Sequence, residues 1–152
     1  MVRRPNLAKE EGLVVQVLGS GGPMPYGSRA STGYLVWIDG KSKLLIDAGG
    51  GTFVRFGEAG GRLVDLDIAL ISHFHADHVS DLPAFLWGAF LSGRVDRKLT
   101  FIGPTGNDNY PDIHTFLRSF VAEDKGLFPQ LSKFPLEVIS ADAMGTEVST
   151  VF

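Results

Sequence analysis

Three of the chain's four histidines fall within the six residues His73-Phe74-His75-Ala76-Asp77-His78. In an extended segment residues i and i+2 face the same way, so His73 and His75 can present their imidazoles to one ion at about 2.0–2.1 Å each. Asp77 and His78 follow at the turn into a helix expected from Ser80, which swings them towards a neighbouring position suited to a second ion. Two divalent ions about 3.5–4 Å apart lower the pKa of a shared water and clamp the oxygens of a displacement reaction. That chemistry is hydrolysis. Asp77 is the carboxylate inside the cluster, able to ligate one ion or to accept a proton from the metal-bound water. The competing reading is of surface histidines at a strand–helix junction, or of core histidines satisfied by hydrogen bonds. Three histidines and an aspartate at this spacing, behind an apolar strand, favour the metal site.

Other residues carry weaker signals. Asp47 precedes Ala48-Gly49-Gly50-Gly51; an aspartate there is a common turn former, or a carboxylate that hydrogen-bonds a ligand histidine and fixes its tautomer. Gly19, Gly21 and Gly22 invite a phosphate-loop reading, but neither a Gly-Lys-Ser/Thr ending nor a dinucleotide fingerprint follows, and they read as a tight loop near the site. His114 reads as a surface or helix-packing residue. Trp37, Trp87 and the phenylalanines read as core rather than as a base-stacking platform.

These side chains need elements to hold them. Residues 13–18 form an apolar run that enters the glycine loop as a strand. Residues 34–38 and 43–46 flank Asp39-Gly40, a dipeptide favouring a type I′ turn, and predict a β-hairpin. Thr52 is expected to cap a helix over 52–58, with Gly60 as its stop. Residues 68–72 suit a buried strand that ends at the histidine cluster. From Ser80, the apolar residues Leu82, Phe85, Leu86, Ala89 and Phe90 recur at helical spacing, with Pro83 in the first turn and Gly93 at the end. A strand over 99–102, a helix bearing Ile113, Phe116, Leu117 and Phe120 on its buried face, and strands over 136–139 and 147–152 complete the reading. Strands followed by strands mixed with helices indicate a layered α/β sheet covered by helices.

The composition sets outer bounds. A length of 152 residues with 44% hydrophobic and 20% charged residues fits one globular domain with its own core. Seventeen acidic against fourteen basic residues give a formal charge of −3, so a nucleic-acid substrate would need a local basic patch. The chain has no cysteine, which removes disulfides, thiolate ligands and a cysteine nucleophile, and leaves nitrogen and oxygen to hold any metal. Apolar runs break well short of a bilayer span, so no membrane segment is expected. Residues 1–11 read as neither signal nor transit peptide. The cytoplasm is the default location, with a signal peptide removed before the numbering begins left open.

The His-x-His-x-Asp-His pattern of His73, His75, Asp77 and His78 resembles the motif of the metallo-β-lactamase superfamily. Leu44-Leu45-Ile46-Asp47-Ala48-Gly49-Gly50-Gly51 is similar to its earlier motif, in which a strand ends in an aspartate and a glycine turn beside the metals. The loop Leu18-Gly19-Ser20-Gly21-Gly22, followed by Arg29 and Ser31, and the later Leu82-Pro83 resemble the ribonuclease Z-like and arylsulfatase-like branches. The resemblance implies an αββα layered sandwich, of which residues 1–152 make a single domain corresponding to the first half only, truncated at the carboxyl end. It implies Zn2+, two ions in the complete site, with Mn2+ and Fe2+ compatible with the same donors, and it favours a supporting role for Asp47. In the family a further histidine, a bridging aspartate and a last histidine come from later segments. No histidine follows His114 here, so each ion would have about two protein ligands instead of three or more. The expected activity is zinc-dependent hydrolysis of an ester or phosphodiester, on a small-molecule or nucleic-acid substrate, in the ribonuclease Z-like branch. The alternatives are a β-lactam or lactone hydrolase, and a non-catalytic shortened chain that binds metal poorly and acts through association. The strand expected over 147–152 predicts an open edge or apolar face that self-associates or meets a missing carboxyl-terminal half.

Overall fold

The computed structural model describes residues 7–93 and 97–142. Its first three strands, β1 (Leu13–Gly19), β2 (Gly33–Ile38) and β3 (Lys41–Ile46), form an antiparallel meander. The β2–β3 reversal is the type I′ turn that Asp39-Gly40 predicts: φ is 47° at Asp39 and 73° at Gly40, and Ile38 pairs with Lys41 across two residues. The Gly12 N–H donates to Asp39 Oδ1 at 2.9 Å, which ties the turn to the start of β1.

Beyond β3 every strand is parallel to its predecessor, because a helix intervenes each time. Helix α1 (Thr52–Glu58) leads to β4 (Ile68–Leu70); α2 (Ala76–Val79) and α3 (Leu82–Leu91) lead to β5 (Leu99–Pro104); and α4 (Ile113–Val121) leads to β6 (Leu136–Ala141). The six strands lie in sequence order in one sheet.

Strand periodicity divides the sheet into two unlike faces. One face, with Leu35, Trp37, Leu45, Ala69 and Phe101, is buried against Phe56 of α1, Leu82, Phe85 and Leu86 of α3, and Ile113 and Leu117 of α4. Phe85 meets Phe53 and Phe56 edge-on at 5.0 and 5.3 Å, and burying a side chain of this size contributes about 1.5–3 kcal/mol. Trp37 belongs to this core and donates its Nε1–H to Gln16 Oε1 at 2.8 Å. The other face carries Leu13, Val15 and Val17 beside Ile38, Val36 and Tyr34, then Leu44, Ile46, Ile68, Leu70, Ile102 and Ile139. Apart from Val36, these apolar residues are half-buried or exposed.

Two expectations need correction. Thr52 does not cap α1: Gly51, at φ 86°, occupies the capping position, and Thr52 lies inside the helix with its hydroxyl donating to the Gly49 carbonyl at 2.7 Å. The Phe53 N–H is met instead by Asp81 Oδ2 at 2.9 Å, a carboxylate 28 residues away. Asp77 and His78 do not lie in an open turn but in the single-turn α2, with His75 at its N-cap position. The strand expected over 147–152 lies outside the described residues. Among those residues no helix is long and apolar enough to cross a membrane.

Candidate metal centre

Asp47 closes β3 and turns the chain with a left-handed backbone, φ 57°, a region aspartate tolerates better than most residues. Its N–H donates to the Leu70 carbonyl at 2.8 Å, which aligns the end of β3 with the end of β4. Its carboxylate, almost fully buried, accepts from the Ser72 N–H at 2.8 Å and the Ser72 hydroxyl at 2.8 Å, and stands 2.8 Å from His78 Nδ1. A carboxylate only accepts, so His78 offers Nδ1–H to it and keeps Nε2 as its lone-pair nitrogen. The Ser72 hydroxyl proton is committed to Asp47, so at 3.1 Å that oxygen accepts from His73 Nδ1 and leaves His73 Nε2 as the second lone-pair nitrogen. Asp47 thus sets one ring directly and the other through Ser72.

The residues after Asp47 bring the two ligand segments together by backbone bonding. The Ala48 N–H donates to the His78 carbonyl at 2.7 Å, the Asp81 N–H to the Ala48 carbonyl at 2.8 Å, and the Thr32 N–H to the Asp77 carbonyl at 3.1 Å. Gly49 is required here, since a Cβ at this position would lie 2.0 Å from the Asp77 carbonyl oxygen. The first glycine loop lies one layer further out: the Gly21 N–H donates to the Ala30 carbonyl at 2.8 Å, and the Ser31 N–H to the Gly50 carbonyl at 2.8 Å. Its hydrogen bonds run to the 30–32 segment, with the Ser31 and Thr32 hydroxyls donating to the Gly22 and Gly21 carbonyls.

The three imidazoles are neighbours. The His73 ring centre is 4.0 Å from that of His78 and 4.6 Å from that of His75. Asp77 Oδ2 stands 3.6 Å from His78 Nε2. Phe74, between the first two histidines, points the other way and stacks on Phe116 of α4 at 4.3 Å, which anchors the alternation. Partial burial, reinforced by repulsion from His78 and His75, holds His73 below the ordinary histidine value, against the opposing pull of Asp47 and Asp77. The shift favours the neutral ring, the form in which imidazole binds metal. The donor set, imidazole nitrogens and a carboxylate with the outward nitrogens of His73 and His78 held by the protein, has the chemistry a divalent metal requires. Among the described residues, however, no three such side chains already stand around one ion-sized point.

A cleft of about 260 Å3 opens beside the cluster, lined by His73, Phe74, His75, Pro104, Asn107 and Tyr110 among others. Tyr110 carries no signal in the sequence, yet its hydroxyl is 3.2 Å from His75 Nε2. Nothing in the local pattern marks it, because the contact spans 35 residues. Ser72, too, has no mark in the sequence beyond its place at a strand end. His114 is exposed on α4.

The model of the metallo-β-lactamase superfamily matches residues 26–116, which include every residue of the cluster and Asp47. The chain belongs to the metallo-β-lactamase superfamily. Among curated superfamily relatives it is 44% identical over 94 residues to a ribonuclease Z of Clostridium kluyveri, a match covering 62% of this chain and 30% of that protein. It is 38% identical over 126 residues to a ribonuclease Z of Clostridium acetobutylicum, covering 83% of this chain and 36% of that one. The chain thus spans about a third of the length of these relatives. The fold is shared with human tRNase Z, short form, at a TM-score of 0.61 and 19% identity, covering 84% of this chain and 44% of that one. It is shared too with a metallo-β-lactamase fold protein of Bacillus subtilis at a TM-score of 0.66 and 21% identity, covering 92% of this chain and 49% of that one. Both the layered α/β sheet and the family expected from the histidine motif are therefore found.

Proposed function

We propose that this chain supplies the first-half ligands of a metal-dependent hydrolase of the ribonuclease Z branch, acting on phosphodiesters of RNA. The observation that carries the reading is the buried Asp47 carboxylate, 2.8 Å from His78 Nδ1 and bonded through Ser72 to His73. It aims two imidazoles from outside, as carboxylates behind metal-binding histidines do. The ribonuclease Z relatives favour the branch.

His73, His75, Asp77 and His78 would hold the metal. Zn2+ is the ion that best suits a nitrogen-rich donor set, with Mn2+ and Fe2+ as substitutes. Two such ions, when bound, supply an activated water and neutralise the oxygens of a displacement. The protein's share is to favour the neutral form of His73, to fix the His78 ring, and to offer the Asp77 carboxylate as a proton acceptor at the cluster. The cleft beside His73 and His75 gives the substrate a place to lie. We further propose that the complete site takes more ligands than the described residues provide, since these enclose no ion by themselves. The same observation favours a second reading, in which the chain alone binds metal weakly and acts by association.

The test is chelator-sensitive hydrolysis by the full-length gene product, measured on RNA, on a chromogenic phosphodiester, and on a β-lactam and a lactone. The expected result is cleavage of the two phosphodiester substrates, lost in His75→Ala. Preferential opening of the β-lactam or lactone would replace the proposed branch, and no metal-dependent turnover on any substrate would favour the second reading.

A further inference from the structure

We infer that Tyr110 is a positioning residue for His75, fixing which nitrogen of that ring faces the metal. The inference rests on the metal-site reading above and extends it to the one histidine that Asp47 does not reach. His73 and His78 each commit Nδ1 to a protein partner. His75 differs: its Nε2 lies 3.2 Å from the Tyr110 hydroxyl, and among the described residues Nδ1 has no partner. A neutral imidazole carries one N–H and the tyrosine hydroxyl can donate or accept; we assign the tyrosine oxygen as acceptor of Nε2–H, which leaves Nδ1 as the lone-pair nitrogen. The three rings would then present Nε2, Nδ1 and Nε2 in turn. This alternation suits His75, which sits at the N-cap position of α2 while His73 precedes it in extended chain.

The tyrosine is itself held firmly enough for the task. Asn107 Oδ1 accepts from the Asn109 N–H at 2.8 Å and from the Tyr110 N–H at 3.1 Å, while the Asn107 N–H donates to the Tyr110 carbonyl at 2.9 Å. Gly106, at φ 82°, starts this turn where a Cβ would lie 2.6 Å from the Asp112 N. Asp112 then caps α4 by accepting from the Thr115 N–H at 2.9 Å. The β5–α4 connection therefore grips the ligand segment twice: Phe116 stacks on Phe74 on one side, and Tyr110 reaches His75 on the other.

The experiment uses the whole 152-residue chain, 15N-labelled, at a pH above the ordinary histidine range. Long-range imidazole 1H–15N correlations read the tautomer without metal, and chelator competition reads Zn2+ affinity. His75 of the native chain should be almost wholly the Nε2–H form, beyond the modest preference that free imidazole already has for it; Tyr110→Phe should fall back to that preference and bind Zn2+ about 10–100-fold more weakly, the usual loss when the partner of a metal-binding histidine is removed. Tyr26→Phe, on an exposed loop, should match the native chain in both. Should Tyr110→Phe fail to fold, Asn107→Ala carries the same prediction, because it loosens the turn and spares the hydroxyl. An Nδ1–H tautomer in the native chain, or an unchanged tautomer and affinity in Tyr110→Phe, overturns the inference. A tautomer change with no Zn2+ uptake by either protein supports Tyr110's hold on the ring and sinks the metal reading; equal uptake with an unchanged tautomer does the reverse.

Discussion

Asp47 and the histidines can be separated experimentally because their substitutions fail in different ways. Asp47→Asn keeps the side-chain volume and an amino acid that tolerates the left-handed backbone, but gives up the charge behind His78. Zn2+ affinity should fall about 10–100-fold while the denaturant midpoint moves little. Asp47→Ala should in addition cost about 1–3 kcal/mol, because the Ser72 N–H loses its acceptor and a residue with a Cβ but no local hydrogen bond must hold φ 57°. Equal affinities for the native and Asn forms would reduce Asp47 to a turn former. His75→Ala removes a ligand and little core volume, so hydrolysis by the full-length product should drop by more than about 100-fold with the fold kept, whereas His114→Ala on the exposed side of α4 should change activity little. Similar losses from both would mean the histidines are wrongly assigned. That the three imidazoles lie side by side was legible because their residues are nearly contiguous in the sequence. Tyr110 and Ser72 were not, since a lone tyrosine or serine has no periodic signature and gains its meaning only when distant segments meet.

At the scale of elements, the glycine run after Asp47 and the capping of α1 join the ligand segments to the rest of the sheet. Gly49→Ala would drive a methyl group into the Asp77 carbonyl, which is backbone and cannot swing aside. A loss of about 1–3 kcal/mol is expected from this overpacking, together with a loss of Zn2+ binding as α2 shifts. A guanidinium chloride melt read alongside chelator competition checks both, and an unchanged midpoint would show that the loop yields freely. Asp81→Ala removes the acceptor of the Phe53 N–H and should cost about 1 kcal/mol, the usual worth of a helix cap, without altering the imidazoles. The hairpin, α3 and α4 could be read from sequence because turn chemistry and apolar spacing are local. The cap of α1 could not: Thr52 has the right side chain one residue too late, and the group that does the work comes from the start of α3. The one-turn α2 also escaped, being too short to display a helical period of its own.

For the molecule as a whole, the division of the sheet matters most. One face is sealed by helices, while Leu13, Val15 and Val17 at 68, 58 and 57% exposure begin an apolar surface that continues across all six strands. Such a surface attracts partners. Sedimentation velocity over a range of concentrations should show self-association of the 152-residue chain, weakened by Val15→Lys; a monomer at all concentrations would mean that this face is stable against water. The layered α/β class was legible from the order of strand and helix patterns; an open edge or apolar face was expected as well, but beside residues 147–152, and its start at Leu13, Val15 and Val17 was not legible, because alternation in β1 and β2 shows which residues share a face and not what lies over it. The central claim, that His73, His75, Asp77 and His78 hold metal, has a direct test in crystals of the chain grown with Zn2+, measured on both sides of the zinc absorption edge. An anomalous peak is predicted within about 2.0–2.2 Å of the Nε2 atoms of His73 or His78, the Nδ1 atom of His75 or the Asp77 carboxylate, with at least two of these donors in contact. Zinc found only elsewhere, at His114 for instance, or no peak beside these residues, would contradict it.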